Sequence, residues 1–294
     1  VRVVTAPVKT GDLAPYSARV NEGTEAPDLS TPPAYRGAGA SQHRLRRVLD
    51  PLSRRLWDLT IEGAENIPAD GPAIICPNHI SFFDSVFVMT FVGRNISFVG
   101  KAEYMDSWKT KHLFPALGMI PIDRAGGKKS DAALDAAEQV LRRGELFGIY
   151  PEGTRSRDGM LYKGHTGAAR LAIKIGCPII PVGIVGTREI QPPDTFFPKL
   201  RKPCTIRFGR PIHADRYADR AEDHLVWREL IDEVMFEIRE LSGQQYRNTY
   251  ATKRSENLVT PTAVVGSDAV DPAQEGSSSH VRGANSHELE SSTP

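Results

Sequence analysis

The stretch Ala73-Ile74-Ile75-Cys76-Pro77-Asn78-His79-Ile80-Ser81-Phe82-Phe83-Asp84 decides how this chain is read. Four apolar residues stop at a proline, which fits a short buried strand. An apolar helical pattern begins around Phe82, with Ser81 as a plausible N-cap and Asp84 three residues on in the capping-box position. His79 then falls in a loop at the carboxyl end of a strand, where open α/β sheets bind their ligands. Five residues apart on one helix, His79 and Asp84 would lie on different faces. A loop followed by a first helical turn lets the carboxylate reach back to the imidazole. That contact would fix the tautomer and free the other ring nitrogen as a general base. A capping aspartate beside a structural loop histidine fits the same residues equally well.

Outward from this stretch, strand and helix patterns alternate. The runs LTIEG, ISFVG, LFGIYP, PIIPVGIV and TIRFG are each of strand length and contain or end in Gly or Pro. Helical patterns lie near residues 83–92, 104–117, 129–143 and 165–175, and a long amphipathic one spans roughly 221–242. Ahead of them, Leu45, Val48, Leu49, Leu52, Leu56 and Leu59 recur at helical spacing between arginines, with Pro51 placed to split or kink the helix. The expected fold is α/β, a mostly parallel sheet flanked by helices, with an N-terminal amphipathic helical segment.

Composition bounds the rest. The 294 residues carry 37 Lys plus Arg against 36 Asp plus Glu and are 40% hydrophobic, which excludes a collagen, a coiled-coil rod and a fully disordered chain. Three scattered cysteines make neither a disulfide framework nor a zinc site, and point to a reducing cytosol. No apolar run reaches the ~18 residues of a spanning helix, and the first residues lack a signal-peptide core. Residues 1–40 and the acidic, Ser/Gly/Ala/Pro-rich tail from 247 to 294 read as disordered, since neither offers enough apolar surface to offset its ordering entropy. Residues 41–246 are the expected folded domain. Residues 41–254 hold 32 basic and 26 acidic side chains, a balance that suits anionic partners.

Two further segments carry chemistry. Tyr150-Pro151-Glu152-Gly153-Thr154-Arg155-Ser156 follows the buried run LFGIY and turns at Pro151 and Gly153. An acid, a glycine and a guanidinium at a strand edge can build an anion pocket, although a surface turn with an exposed ion pair would look the same. Gly118-Met119-Ile120-Pro121-Ile122-Asp123-Arg124 leads through a glycine- and lysine-rich stretch into a helix, which favours phosphate. This is not a nucleotide-binding P-loop, because Lys129 stands where that motif needs Ser or Thr.

Taken together, the segments resemble the glycerophospholipid acyltransferase family, whose best-known members are 1-acylglycerol-3-phosphate acyltransferases. Asn78, His79 and Asp84 match its N-H-x-x-x-x-D block. Glu152, Gly153, Thr154 and Arg155 match its E-G-T-R block. Gly118 to Arg124 is similar to the arginine-bearing block between them, and Ile180-Pro181-Val182-Gly183 to the proline-containing fourth. The blocks stand in family order over roughly residues 57–212.

The resemblance implies that His79, oriented by Asp84, takes a proton from a glycerol hydroxyl as that oxygen attacks an acyl thioester. No acyl-enzyme is implied, and the chain has no G-x-S-x-G elbow; Cys76 is a rival nucleophile. Arg124 and Arg155 would hold the acceptor phosphate with Lys101 as a third cation, and Glu152, Gly153 and Thr154 would belong to the same site. Asn78 would support the loop or donate to the developing oxyanion, and Pro181 lies in a strand that shapes the acyl site. Acyl-CoA or an acyl carrier protein is the implied donor, a co-substrate, with no metal and no bound cofactor. A lysophospholipid or glycerol 3-phosphate is the implied acceptor, most directly 1-acylglycerol-3-phosphate giving phosphatidate. A relative acting on a lyso-ornithine lipid or glycolipid, a thioesterase, and a non-catalytic lipid-binding protein on the same fold are the alternatives.

One departure concerns the membrane. Many relatives carry strongly apolar N-terminal helices, whereas residues 43–59 form a basic amphipathic segment that either packs on the domain or lies in a membrane interface. Phe196 and Phe197 beside Lys199, Arg201 and Lys202 make a loop suited to a bilayer. No nucleic-acid motif accompanies these basic residues. The expected location is cytoplasmic, peripheral on the inner face of the cell membrane.

Overall fold

Strand β2 (Ala73–Pro77) lies near the middle of a seven-stranded sheet and shows how the sequence builds it. Ala73 and Ile75 face one layer of helices, Ile74 and Cys76 the other, and all four are fully buried. The period-2 alternation of a strand therefore feeds two cores, which is why the run is apolar throughout. The computed structural model describes residues 40–101, 118–122, 129–192, 195 and 197–251. All of them lie in the first of the two units into which the chain divides, residues 1–259.

The other strands of the sheet are β1 (Asp58–Glu62), β3 (Ile96–Lys101), β4 (Met119–Ile122), β5 (Leu146–Gly148), β7 (Ile179–Val185) and β8 (Pro203–Phe208), in the order β1-β8-β7-β2-β5-β3-β4. Every neighbouring pair is parallel except β7 with β8. The five strands from β4 to β7 thus deliver their carboxyl ends to one edge. A separate two-stranded sheet pairs β6 (Leu161–Tyr162) with β9 (Tyr246–Arg247).

Helices α1 (Ala40–Leu56) and α2 (Phe83–Phe91) cover one face. There Leu45, Leu49 and Leu56 pack against the core formed by Trp57, Phe87, Val88, Ile75, Ile180 and their neighbours. Pro51 does not divide α1: it is exposed, where water can take up the carbonyl bond that proline cannot make. Helices α3 (Lys129–Arg142), α4 (Gly167–Ile175) and α6 (His224–Ser242) cover the other face. Helix α6 starts later than its amphipathic pattern, because residues 215–220 form a 3-10 turn and Asp223 caps the helix by accepting from the Leu225 amide at 2.8 Å. It crosses β7 so closely that a Cβ on Gly183 would lie 2.5 Å from the Leu241 backbone.

The expected helix near 104–117 and the two ends, residues 1–39 and 252–294, lie outside the described residues. The folded chain runs a little past the expected boundary at 246. Arg247 pairs with Tyr162, and the Lys163 amide donates to the Thr249 carbonyl at 3.0 Å.

Candidate active site

Beyond Pro77 the chain leaves the sheet edge and re-enters at α2, and this turn is tied down by one carboxylate. Asp84 is fully buried. Its Oδ2 accepts from the Ile80 amide at 2.7 Å, the Ser81 amide at 2.8 Å and His79 Nδ1 at 2.9 Å. Its Oδ1 accepts from Thr187 Oγ1 at 2.6 Å. With Nδ1–H committed to a carboxylate, Nε2 is the nitrogen left with a lone pair. The His79 side chain is 17% exposed, so the ring can be reached from outside while its partner cannot. The capping expectation holds in modified form. Asp84 bonds the Ser81 amide, and Ser81 Oγ accepts from the Phe83 amide at 3.3 Å, but Phe82 is the residue at the helix boundary.

The neighbouring strand β5 supplies the wall behind the imidazole. Tyr150 stacks on His79 with centroids 3.8 Å apart and planes at 17°, and its hydroxyl meets Ser85 Oγ at 2.6 Å. Burial, and then the Asp84 charge, push the Tyr150 phenol well above its ordinary value, so it stays neutral.

Glu152 is 1% exposed. Its Oε1 accepts from the His79 amide and its Oε2 from the Tyr162 amide, both at 3.0 Å. The Ser156 amide returns a bond to the His79 carbonyl at 2.7 Å. Burial pushes the Glu152 carboxyl up to about 7, against the pull of the two amides. Expected in the acceptor site, Glu152 is instead turned inward, with both oxygens occupied by backbone amides.

Gly153 turns the loop at φ 75°, a conformation that favours glycine, and the edge of His165 lies over it, 3.2 Å from where a Cβ would stand. Thr154 is half-buried, and Arg155 is exposed at the same edge.

Lys101 ends β3 at this edge too. Arg124, two residues past β4, lies outside the described residues. Asn78 is fully buried. Its Oδ1 accepts from the Ile184 amide at 2.7 Å, while Nδ2 donates to the Ile184 carbonyl at 2.9 Å and to Gln244 Oε1 at 2.7 Å. It splints β2 to β7, and its side-chain groups face partners within the fold rather than a reacting carbonyl. Pro181 sits in β7 opposite Cys76, and its carbonyl accepts from the Gly209 amide at 2.8 Å. Cys76 is fully buried, and burial raises its thiol far from the thiolate a nucleophile needs. Among the described residues no cluster of three or more His, Cys, Asp or Glu could hold a metal ion.

Phe196 lies outside the described residues, whereas Phe197, Lys199 and Arg201 are exposed. Their loop docks on the end of α1. Trp57 Nε1 donates to the Lys199 carbonyl at 2.8 Å, and the Arg201 amide to the Leu56 carbonyl at 2.7 Å. No helix among the described residues is long and apolar enough to cross a membrane.

Sequence reasoning assigned no site role to Tyr150 or Thr187, whose contacts with the His79 segment arise because the sheet sets β5 and β7 beside β2.

The family model described as Acyltransferase matches residues 58–185, the span that holds His79, Asp84 and the Glu152–Arg155 loop. Over this span, somewhat under half of the chain, the protein is similar to the acyltransferase family.

A chloroplastic 1-acyl-sn-glycerol-3-phosphate acyltransferase of Arabidopsis thaliana is 31% identical over 54% of this chain and 45% of its own length. A 1-acyl-sn-glycerol-3-phosphate acyltransferase of Borreliella burgdorferi is 32% identical over 45% of this chain and 52% of its own. The chain therefore spans about half the length of the curated relatives it matches. The crystal structure of the 1-acyl-sn-glycerophosphate acyltransferase from Thermotoga maritima superposes with a TM-score of 0.53 at 24% identity, covering 68% of this chain and 80% of that one, a likeness of fold.

Proposed function

We propose that this protein transfers a fatty acyl group from acyl-CoA, or from an acyl carrier protein, to the free hydroxyl of 1-acylglycerol-3-phosphate, giving phosphatidate. The observation that carries the reading is the 2.9 Å contact between His79 Nδ1 and Asp84, beside the loop that bears Arg155. His79 Nε2 takes the hydroxyl proton as the oxygen attacks the thioester carbonyl. The tetrahedral intermediate collapses with loss of the C–S bond, and the imidazolium returns its proton to the departing sulfur. Atoms balance with no acyl-enzyme, and the step calls for neither metal nor bound cofactor. Tyr150 holds the ring from behind, and Glu152 holds the His79 backbone. Arg155, joined by Lys101 and Arg124, binds the acceptor phosphate, for which a guanidinium fork is suited.

Attachment is peripheral, to the cytoplasmic side of the cell membrane. Support comes from the outward face of α1, where exposed Arg44, Arg47 and Arg55 accompany Val48 and Leu52, and from Phe197, Leu200, Arg201 and Lys202 alongside.

The test is product identification. Palmitoyl-CoA is supplied with lysophosphatidate, with glycerol 3-phosphate and with a lyso-ornithine lipid, and the lipids are analysed by mass spectrometry. Phosphatidate from the first is the expected product; an acylated ornithine lipid as the main product would reassign the acceptor.

A further inference from the structure

Four hydrogen bonds fix the Asp84 carboxylate, and they are unevenly distributed. Three converge on Oδ2, all from residues 79–81 of the same turn. Three donors on one oxygen leave the carboxylate plane to be set by whatever holds the other. That partner is Thr187, which comes from 103 residues away and donates to Oδ1 at 2.6 Å. Thr187 is fully buried. It is delivered by a turn that only glycine can make: Gly186 follows β7 at φ 94°, and a Cβ there would stand 2.2 Å from the Pro203 carbonyl oxygen. Thr187 then opens the single-turn helix α5 (Thr187–Ile190). A buried hydroxyl at such a position can be satisfied by nearby backbone, as Thr90 is by the Val86 carbonyl. Thr187 spends its only proton on the acid that orients the histidine.

We propose that Thr187 is a positioning residue for acyl transfer. By holding Oδ1 it sets the plane of the Asp84 carboxylate, so that Oδ2 meets His79 Nδ1–H and Nε2 stays unprotonated towards the acceptor. The turn after β7 thereby joins the catalytic apparatus instead of serving only as a wall. This inference rests on the general-base reading of His79.

Thr187→Val removes the hydroxyl and keeps the branched shape; Thr187→Ser keeps the hydroxyl. For Thr187→Val, kcat of acyl transfer is expected to fall about tenfold or more, with KM for both substrates within about twofold, because the lost bond is to a charged group. Thr187→Ser is expected to recover kcat to within about threefold, again with little change in KM. Should Thr187→Val not fold, Thr187→Cys, with a weaker donor, takes its place in the comparison with serine. An unchanged kcat, a loss that appears in KM instead, or a serine variant no better than valine overturns the assignment. Activity remaining in His79→Ala would instead remove the general-base reading itself; an inactive His79→Ala beside a fully active Thr187→Val removes only the role of Thr187.

Discussion

Glu152 shows how one buried side chain organises the site from behind. It links the backbone of the histidine loop to the strand that starts at Leu161, in a place where a charge is poorly solvated. Its carboxyl is pushed from 4.5 up to about 7. The folded protein therefore keeps a proton there that the unfolded chain has already lost, and the sign follows. Between about pH 4.5 and about 7 stability falls as pH rises, by up to about 3 kcal/mol if the whole shift is expressed. Denaturant unfolding at pH 5 and pH 8 checks this. Glu152→Gln, which cannot titrate, should show a shallower loss across the interval, and equal slopes in the two proteins would contradict it. At this scale the His79–Asp84 pair was legible because both members lie within one short segment. Thr187 and Tyr150 were not, because their contacts with that segment are set by the order of strands in the sheet.

Among the elements, α1 carries two jobs on two faces. Leu45, Leu49 and Leu56 face the core, as the leucine spacing suggests, and Gln42 brackets Ile96 with bonds of 2.9 Å in both directions. Val48 and Leu52 remain 61% and 44% exposed on the opposite side, among arginines. An apolar residue left outside singly needs no explanation, but here Phe197 at 79% and Leu200 at 54% adjoin the end of the same helix. Replacing Val48 and Leu52 together with Glu should weaken co-sedimentation with phosphatidylglycerol vesicles at least severalfold. Transfer to a short-chain, water-soluble acceptor should be kept. Equal vesicle binding by the variant would show that the bilayer meets another surface. The main strands were readable from their apolar runs, and Gly or Pro marked their ends. The β6–β9 pair was not, since two-residue strands joined across some 85 positions leave no local pattern.

Seen whole, the molecule gathers its chemistry at one edge because five neighbouring strands run the same way. Three of the five carboxyl ends bring described candidate residues there, His79 after β2, Tyr150 to Arg155 after β5 and Thr187 after β7, and β3 ends at Lys101. The order of the blocks along the chain gave no hint that the first and fourth lie side by side, joined through Asn78 and Ile184. The antiparallel strand β8 begins at the same edge and lets the loop before it reach α1. Direct transfer by a histidine base demands that the donor thioester survive until an acceptor hydroxyl arrives. The most direct measurement is therefore thiol release from palmitoyl-CoA by the wild-type protein and by His79→Ala, each with and without lysophosphatidate. Release by the wild type that requires lysophosphatidate, and its loss by at least about a hundredfold in His79→Ala, is the predicted result. Equal release without acceptor, or a His79→Ala protein that keeps most of the activity, would contradict the account.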